Sequence, residues 1–426
     1  MKINLTTLGC PKNLVDSEIL LGGLRGKGIE MVENPREADT IILNTCGFIQ
    51  GAKEESIEAI LEAVELKRAG RCRNVFVTGC LSQRYQRELA QEIPEVDGFY
   101  GNRDMIRILR DLTQRLDLKR ELLGDRHLAT PKHYAYLKIS EGCENPCTFC
   151  SIPAIRGNFR SRSIEALVDE AEILASKGVQ ELILIAQDST IYGQDLHGKK
   201  QLVPLLDGLT QIREFKWIRL LYTYPAHFDD ELLEFLSTAD KINYVDLPIQ
   251  HISDRILKLM ARKVKRQDIE RIVKRLRTDN PKMAIRTTLI VGFPGETEEE
   301  YLELSDFLEQ VRFERVGLFT YSHEENTPAY HFPNQIPEEV KHLRWAALND
   351  ILNQISFERN LGLIGATENV LIDGYDDDLR KSVGRTAWDC PEIDNTVYLD
   401  EKLEPGEFYT VKIIGCADYD LSGSLN

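Results

Sequence analysis

The stretch "EGCENPCTFCSIP", Glu141–Pro153, sets Cys143, Cys147 and Cys150 in one loop, with three and then two residues between them. No fourth cysteine or histidine follows closely. A structural zinc site takes four protein ligands, and a disulfide takes two thiols. Three thiolates suit a cubane iron–sulfur cluster, whose irons cysteine holds. Three thiolates on four irons leave one iron open, and an open position separates a catalytic metal site from a structural one. A zinc site completed by a distant ligand is the alternative. Chance is a poor one, because three of the chain's nine cysteines fall within eight residues.

Working outward, the loop follows "YAYLKI" (134–139), the first of six β-rich runs. The others are "LILIAQ" (182–187), "WIRLLY" (217–222), "YVDLPI" (244–249), "AIRTTLIVGF" (284–293) and "RVGLFTY" (315–321). Helical patterns such as 164–176 and 297–311 lie between them. Six β/α units predict a partial TIM-like (β/α)6 barrel over 133–359, since a full barrel of eight units needs about 250 residues. In such barrels the loops after the strands hold the chemistry, and the cysteine loop is one of these.

Upstream, "INLTTL" (3–8), "TIILNT" (40–45) and "NVFVTG" (74–79) alternate with helical patterns such as 52–69. That alternation predicts a doubly wound parallel α/β domain over 1–115. Residues 116–132, charged and holding Gly124 and Pro131, read as a linker. A helical stretch over 337–362 leads to short strands broken by Gly, Pro and Asp, which predict a small antiparallel β-barrel over 360–426. The whole is an α/β protein with a β-barrel tail.

The first domain hides a second set of three thiols. "TTLGC", "ILNTC" and "FVTGC" place Cys10, Cys46 and Cys80 about 35 residues apart, each closing one predicted strand. Parallel strands end at one edge, where doubly wound sheets bind ligands, so the three are expected to converge there. Cysteine is also a common buried residue, a sufficient reading for one strand end but not for three in register. Cys72 precedes its strand and belongs at the opposite edge; Cys390 and Cys416 read as packing residues.

Composition bounds the rest. The chain has 426 residues, 42% of them apolar, and a formal charge of −16. An acidic chain is a poor general binder of phosphate backbones. The opening MKINLTTLGC lacks a signal peptide's apolar core, and no apolar run approaches the ~20 residues of a membrane span. A cytoplasmic protein without membrane partners is expected, and clustered cysteines there read first as metal or catalytic sites.

The loop resembles the signature of the radical S-adenosylmethionine (SAM) superfamily, with Phe149 just before its last cysteine. The resemblance implies that SAM chelates the open iron and is cleaved reductively to a 5′-deoxyadenosyl radical. Three further positions are candidates for cofactor contact. Gly292 opens "GFPGET" (292–297) after a strand, and Gln187 and Asp188 end another at the active-site face. An ordinary turn or loop explains each as well, and the superfamily's Gly-Gly-Glu after that strand is absent. His227, His251 and His323 could line the barrel mouth, although structural roles suit them better.

"GCPKNLVDSE" (9–18), "NTCGFI" (44–49), "GCLSQRY" (79–85), the radical loop and the terminal barrel together resemble the methylthiotransferases. That family implies two 4Fe–4S clusters, the auxiliary one held by Cys10, Cys46 and Cys80 and the radical one by Cys143, Cys147 and Cys150. It implies insertion of a methylthio group into an unactivated C–H bond, the sulfur presented by the open iron of the second cluster, with the electron donor and the ultimate sulfur source unidentified. One branch modifies adenosine in tRNA, the other an aspartate of a small-subunit ribosomal protein. The tail resembles a TRAM domain, normally an RNA-binding module. Yet residues 360–426 hold five basic and fourteen acidic residues, net −9. Such a barrel repels phosphates and suits a basic protein partner. "GCPKN", "TFCSIP", "IRGNFRSR" (155–162) and "ADYDLSG" (417–423) resemble the aspartate-modifying branch. The alternatives are the tRNA enzyme and a non-catalytic iron–sulfur protein that senses redox state or docks on ribosomes.

Overall fold

The computed structural model describes residues 1–24, 29–102, 104–113 and 126–425. Much of the expected linker, 116–125, lies outside the described residues. The chain forms two compact units. One comprises Met1–Ala129 with Glu141–Glu144 and Cys150–Phe159; the other comprises Thr130–Ser140, Asn145–Phe149 and Arg160–Asn426. Cys143 and Cys150 fall in the first unit and Cys147 in the second.

In the first unit a parallel sheet is built from Lys2–Thr7, Thr40–Thr45 and Asn74–Gly79, edged by the short strands Glu30–Met31 and Gly98–Phe99. Numbered along the chain its spatial order is 2-1-3-4-5, the flavodoxin-like doubly wound order, whose ligand crevice opens between the first and third strands. The period of two in "TIILNT" explains why helices cover both faces. Ile41 and Leu43 pack on Ile60, Val64 and Leu81, while Ile42 packs on Leu20 and Leu109. At the end of the linker the buried Glu18 accepts the Ala129 N–H at 2.8 Å and the Arg126 Nε at 2.7 Å. Residues 126–129 therefore fold onto the first sheet's helix Pro11–Leu24.

In the second unit six parallel strands lie side by side in chain order, from Tyr134–Lys138 to Arg315–Thr320. They form the expected partial barrel. Apolar runs such as Glu181–Ile185 are buried throughout, as parallel strands covered on both faces must be. The terminal segment closes into a five-stranded barrel. Four of its pairings are antiparallel, as expected, and one, Val397–Leu399 against Leu421–Leu425, is parallel. A closed ring with an odd number of strands cannot alternate direction throughout, so one parallel pair is forced.

The amino-terminal ends of the six strands are locked by charge. Buried Glu181 pairs with Arg219 and, at 2.7 Å, with Arg385 of the terminal barrel. Arg219 donates to the Ala387 carbonyl at 2.7 Å, Arg315 pairs with Asp389, and Tyr244 donates to Asp394. Removing one partner of such a buried pair costs about 3–5 kcal/mol, so this end serves stability and leaves the carboxyl ends for chemistry.

Candidate functional site

At the carboxyl edge of the first sheet, register brings two cysteines side by side. Thr45 pairs with Gly79 as the last rung of their ladder, so Cys46 and Cys80 leave the sheet together. Thr7 pairs with Asn44, which delivers Cys10 to the same place after a short loop. Gly9 makes that loop possible: its φ is +90°, and a Cβ there would lie 2.7 Å from the Cys46 Cβ and 2.9 Å from its Sγ. The three thiols sense one another electrostatically. Burial pushes the Cys46 thiol up and the Cys80 thiol to about 11, so metal ligation, which takes thiolates, must displace protons here.

Polar groups hold this edge together. Asn13 donates through Nδ2 to the carbonyls of Leu8, at 2.9 Å, and Thr45, at 3.1 Å. Its Oδ1 accepts the Cys80 thiol at 3.7 Å and the Arg156 guanidinium at 2.5 Å. The Cys46 N–H donates to the Ser56 hydroxyl at 3.0 Å. Sequence reasoning found the cysteines but missed Asn13, Ser56 and Arg156. Asn13 lies within "GCPKN", three residues after Cys10; nothing in "IRGNFRSR" sets Arg156 apart from a solvated basic run.

Among the described residues no three His, Cys, Asp or Glu side chains close on one point as ligands of a single ion would. A cubane asks something different, each thiolate holding a different iron. Three soft sulfur donors from three strand ends fit that demand.

In the cysteine loop, the Cys143 N–H donates to the Gly157 carbonyl at 3.0 Å. Within the second unit, Arg262 Nη1 lies 3.6 Å from the Cys147 Sγ, and the Tyr224 hydroxyl hydrogen-bonds to it. Arg262 stacks over the Tyr224 ring at 4.0 Å, which fixes both. Thr148 is pinned by the carbonyls of Leu259, at 2.8 Å, and Met260, at 3.2 Å.

Asp188 is fully buried and its acceptor positions are in use. Oδ2 accepts Asn145 Nδ2 at 2.7 Å and lies 2.8 Å from His227 Nδ1; Oδ1 accepts the Thr190 N–H and hydroxyl. Burial pushes its pKa up, but hydrogen bonds from His227, Thr190 and Asn145 prevail and hold it below the usual range. Because Asn145 lies between Cys143 and Cys147, Asp188 braces the cysteine loop. Gln187, the residue before it, is half-buried at the same strand end.

Phe149 packs edge-on against Phe293, with ring centroids 6.5 Å apart, in a cluster with Met260 and Tyr321. Gly292 has φ +71°, and a Cβ there would lie 2.4 Å from Cγ of Lys341; here the glycine admits a neighbouring side chain. Buried Glu296 closes that turn by accepting the N–H groups of Gly292, at 2.6 Å, and Phe293, at 3.1 Å. Burial raises its pKa from 4.5 to about 7 against the opposing pull of Arg344. His251 is buried and pushed down to about 4, and His323 stacks on Tyr330 at 4.1 Å.

Three family models match along the chain: Uncharacterized protein family UPF0004 over residues 2–101, the Radical SAM superfamily over 137–308, and a TRAM domain over 364–425. Proteins named ribosomal protein uS12 methylthiotransferase RimO, from Christiangramia forsetii and Pelotomaculum thermopropionicum, are each 48% identical to it. These alignments cover 99% of this chain and 94% and 99% of the relatives. The chain belongs to the RimO family. The family member from Clostridioides difficile is 47% identical over 100% of this chain and 99% of its own. The chain is therefore a radical SAM methylthiotransferase, and the superfamily implies SAM and a 4Fe–4S cluster as cofactors.

Solved structures agree on the fold. TsrM from Kitasatospora setae, a radical S-adenosylmethionine methyltransferase with cobalamin and a 4Fe-4S cluster bound, matches with a TM-score of 0.55 and 15% identity over 77% of this chain and 76% of that one. OxsB, a cobalamin-dependent radical enzyme, matches with a TM-score of 0.53 and 13% identity over 83% and 57%. Among the described residues no helix is long and apolar enough to cross a membrane.

Proposed function

We propose that this RimO-family chain inserts a methylthio group at the β-carbon of an aspartate in ribosomal protein uS12, with two 4Fe–4S clusters, in the cytoplasm. The observation that carries the reading is the convergence of Cys10, Cys46 and Cys80 at one sheet edge, in a chain whose separate loop holds Cys143, Cys147 and Cys150. When bound, the clusters and SAM would supply reductive sulfonium cleavage, the hydrogen-abstracting radical and the sulfur to be methylated. Cys143, Cys147 and Cys150 would hold the radical cluster, and Cys10, Cys46 and Cys80 the auxiliary one.

The chain's own residues would orient these groups. Asp188 fixes Asn145 and hence the loop's shape, while Arg262 and Tyr224 place a cation and a hydroxyl against the Cys147 sulfur. Gln187, Phe149 and Gly292 lie on elements expected to border SAM. The backbone of "GFPGET" is held by Glu296 rather than left to adapt.

A protein substrate is favoured by the terminal barrel. Of its five basic residues, Arg385 is buried in the pairing with Glu181, leaving Arg380, Lys381, Lys402 and Lys412 against the acidic surface around Asp376–Asp378. That face suits a basic protein better than a phosphate backbone. Mass spectrometry of uS12 and of tRNA from cells lacking this chain tests the reading. The uS12 aspartate is expected to lose the methylthio mass. An adenosine that loses it while uS12 keeps it would reassign the substrate.

A further inference from the structure

Arg156 is buried in the first unit, only 2% exposed. It ends the short helix Ile152–Arg156, six residues after Cys150. Its guanidinium donates to Asn13 Oδ1 at 2.5 Å, Asp16 Oδ2 at 2.8 Å and Glu141 Oε2 at 3.1 Å. Asn13 and Asp16 are one turn apart on the helix that follows Cys10, so they share a face. The same Asn13 oxygen receives the Cys80 thiol, and Arg156 interacts electrostatically with Cys10, Cys46 and Cys80. One buried cation thus lies near enough to act electrostatically on all three thiols of the first set, with two carboxylates hydrogen-bonded to it.

Resting on the two-cluster reading above, we propose that Arg156 is a positioning residue for the auxiliary cluster: it holds Asn13 and Asp16, on the helix that follows Cys10, in place beside the thiols and raises the reduction potential of a cluster held by Cys10, Cys46 and Cys80. Cluster potentials follow net charge, hydrogen bonding to sulfur and exposure. Reduction adds one negative charge, and a guanidinium, ionised at any working pH, favours that state more strongly inside a protein than in water. Asp16 and Glu141 pull the other way, so the guanidinium offsets two carboxylates that would otherwise make reduction harder. A purely structural Arg156 would matter for folding and leave the potential alone.

The test uses the full chain carrying Cys143→Ala, Cys147→Ala and Cys150→Ala, so that only the first set can bind iron. After anaerobic reconstitution the potential is read by titration followed by electron paramagnetic resonance. Arg156→Gln is expected to make reduction at least tenfold less favourable, a downward shift of about 59 mV for one electron. Arg156→Lys, which keeps the charge, should recover more than half of that. Asp16→Asn, which keeps an acceptor for Arg156 but removes a negative charge, should shift the potential upward. An Arg156→Gln chain that binds about four irons and titrates at the parent potential overturns the proposal. Should Arg156→Gln not fold, Asp16→Asn decides: an unchanged or lower potential overturns the proposal equally. A background chain that binds no iron is a separate failure, because it removes the auxiliary cluster itself and the role of Arg156 with it.

Discussion

The two sets of cysteines reach their sites by opposite routes. Cys10, Cys46 and Cys80 come from three strand ends and meet because a parallel sheet gathers its carboxyl termini at one edge. Cys143, Cys147 and Cys150 come from one loop, and strand ends and helices brace it: Asp188 through Asn145, Arg262 and Tyr224 at Cys147. In the first case long-range topology places the sulfurs and a buried cation balances them. In the second, local sequence places the sulfurs and topology holds them still. A site of the first kind is as rigid as its sheet; a site of the second kind is as rigid as its bracing.

Removing either set breaks the comparison most directly. Replacing Cys143, Cys147 and Cys150 with alanine is expected to abolish SAM cleavage under reducing conditions and to halve the iron, from about eight to about four per chain for two four-iron clusters. Replacing Cys10, Cys46 and Cys80 should halve the iron as well, yet leave cleavage measurable while methylthio transfer to uS12 is lost. Iron analysis and 5′-deoxyadenosine formation on the two reconstituted proteins check both. Full iron in the second protein would place the auxiliary cluster elsewhere.

Asp188→Ala tests the bracing itself. Partners that orient metal ligands without touching the metal typically contribute 10–100-fold in affinity or activity, so cleavage per bound iron should fall by roughly that factor. Asp188→Asn, which still accepts from Thr190, should lose less. Equal cleavage rates for the alanine variant and the parent would mean that the loop holds its shape unaided.

The same contrast governs what a reader of the sequence could see. "EGCENPCTFCSIP" announces itself because its ligands are neighbours in the chain. The other set became legible only through strand prediction, and that succeeded because "TIILNT" and "NVFVTG" are built on the β-branched and apolar runs 40–43 and 75–78, matching strands Thr40–Thr45 and Asn74–Gly79. Glu30–Met31 and Gly98–Phe99 escaped, since two residues show no periodicity. Asp188 was visible as a polar residue at a strand end, but its partners Asn145 and His227 are 43 and 39 residues away, a distance only the fold closes. Arg156 was hidden for the same reason, with Asn13 143 residues upstream. The parallel pair in the terminal barrel follows from counting strands around a ring, which a linear reading does not do.

The smallest expected effect concerns Glu296, which holds the "GFPGET" turn at the carboxyl edge of the second sheet. Its pKa is about 7 in the folded chain and 4.5 as an ordinary glutamate, so between those values the folded state binds more protons than the unfolded one. By linkage, its contribution to stability then falls as pH rises from about 4.5 to 7, by at most ~1.4 kcal/mol per pH unit, and is flat outside that window. Arg344 and the two backbone N–H groups limit the fall by stabilising the ionised carboxylate. Glu296→Gln removes the titration, so its denaturation midpoint should decline less than the parent's between pH 5 and pH 7. Parallel pH profiles for the two proteins would show instead that ionised Glu296 is fully compensated, and that the braced edge, like the gathered one, rests on a balanced buried charge.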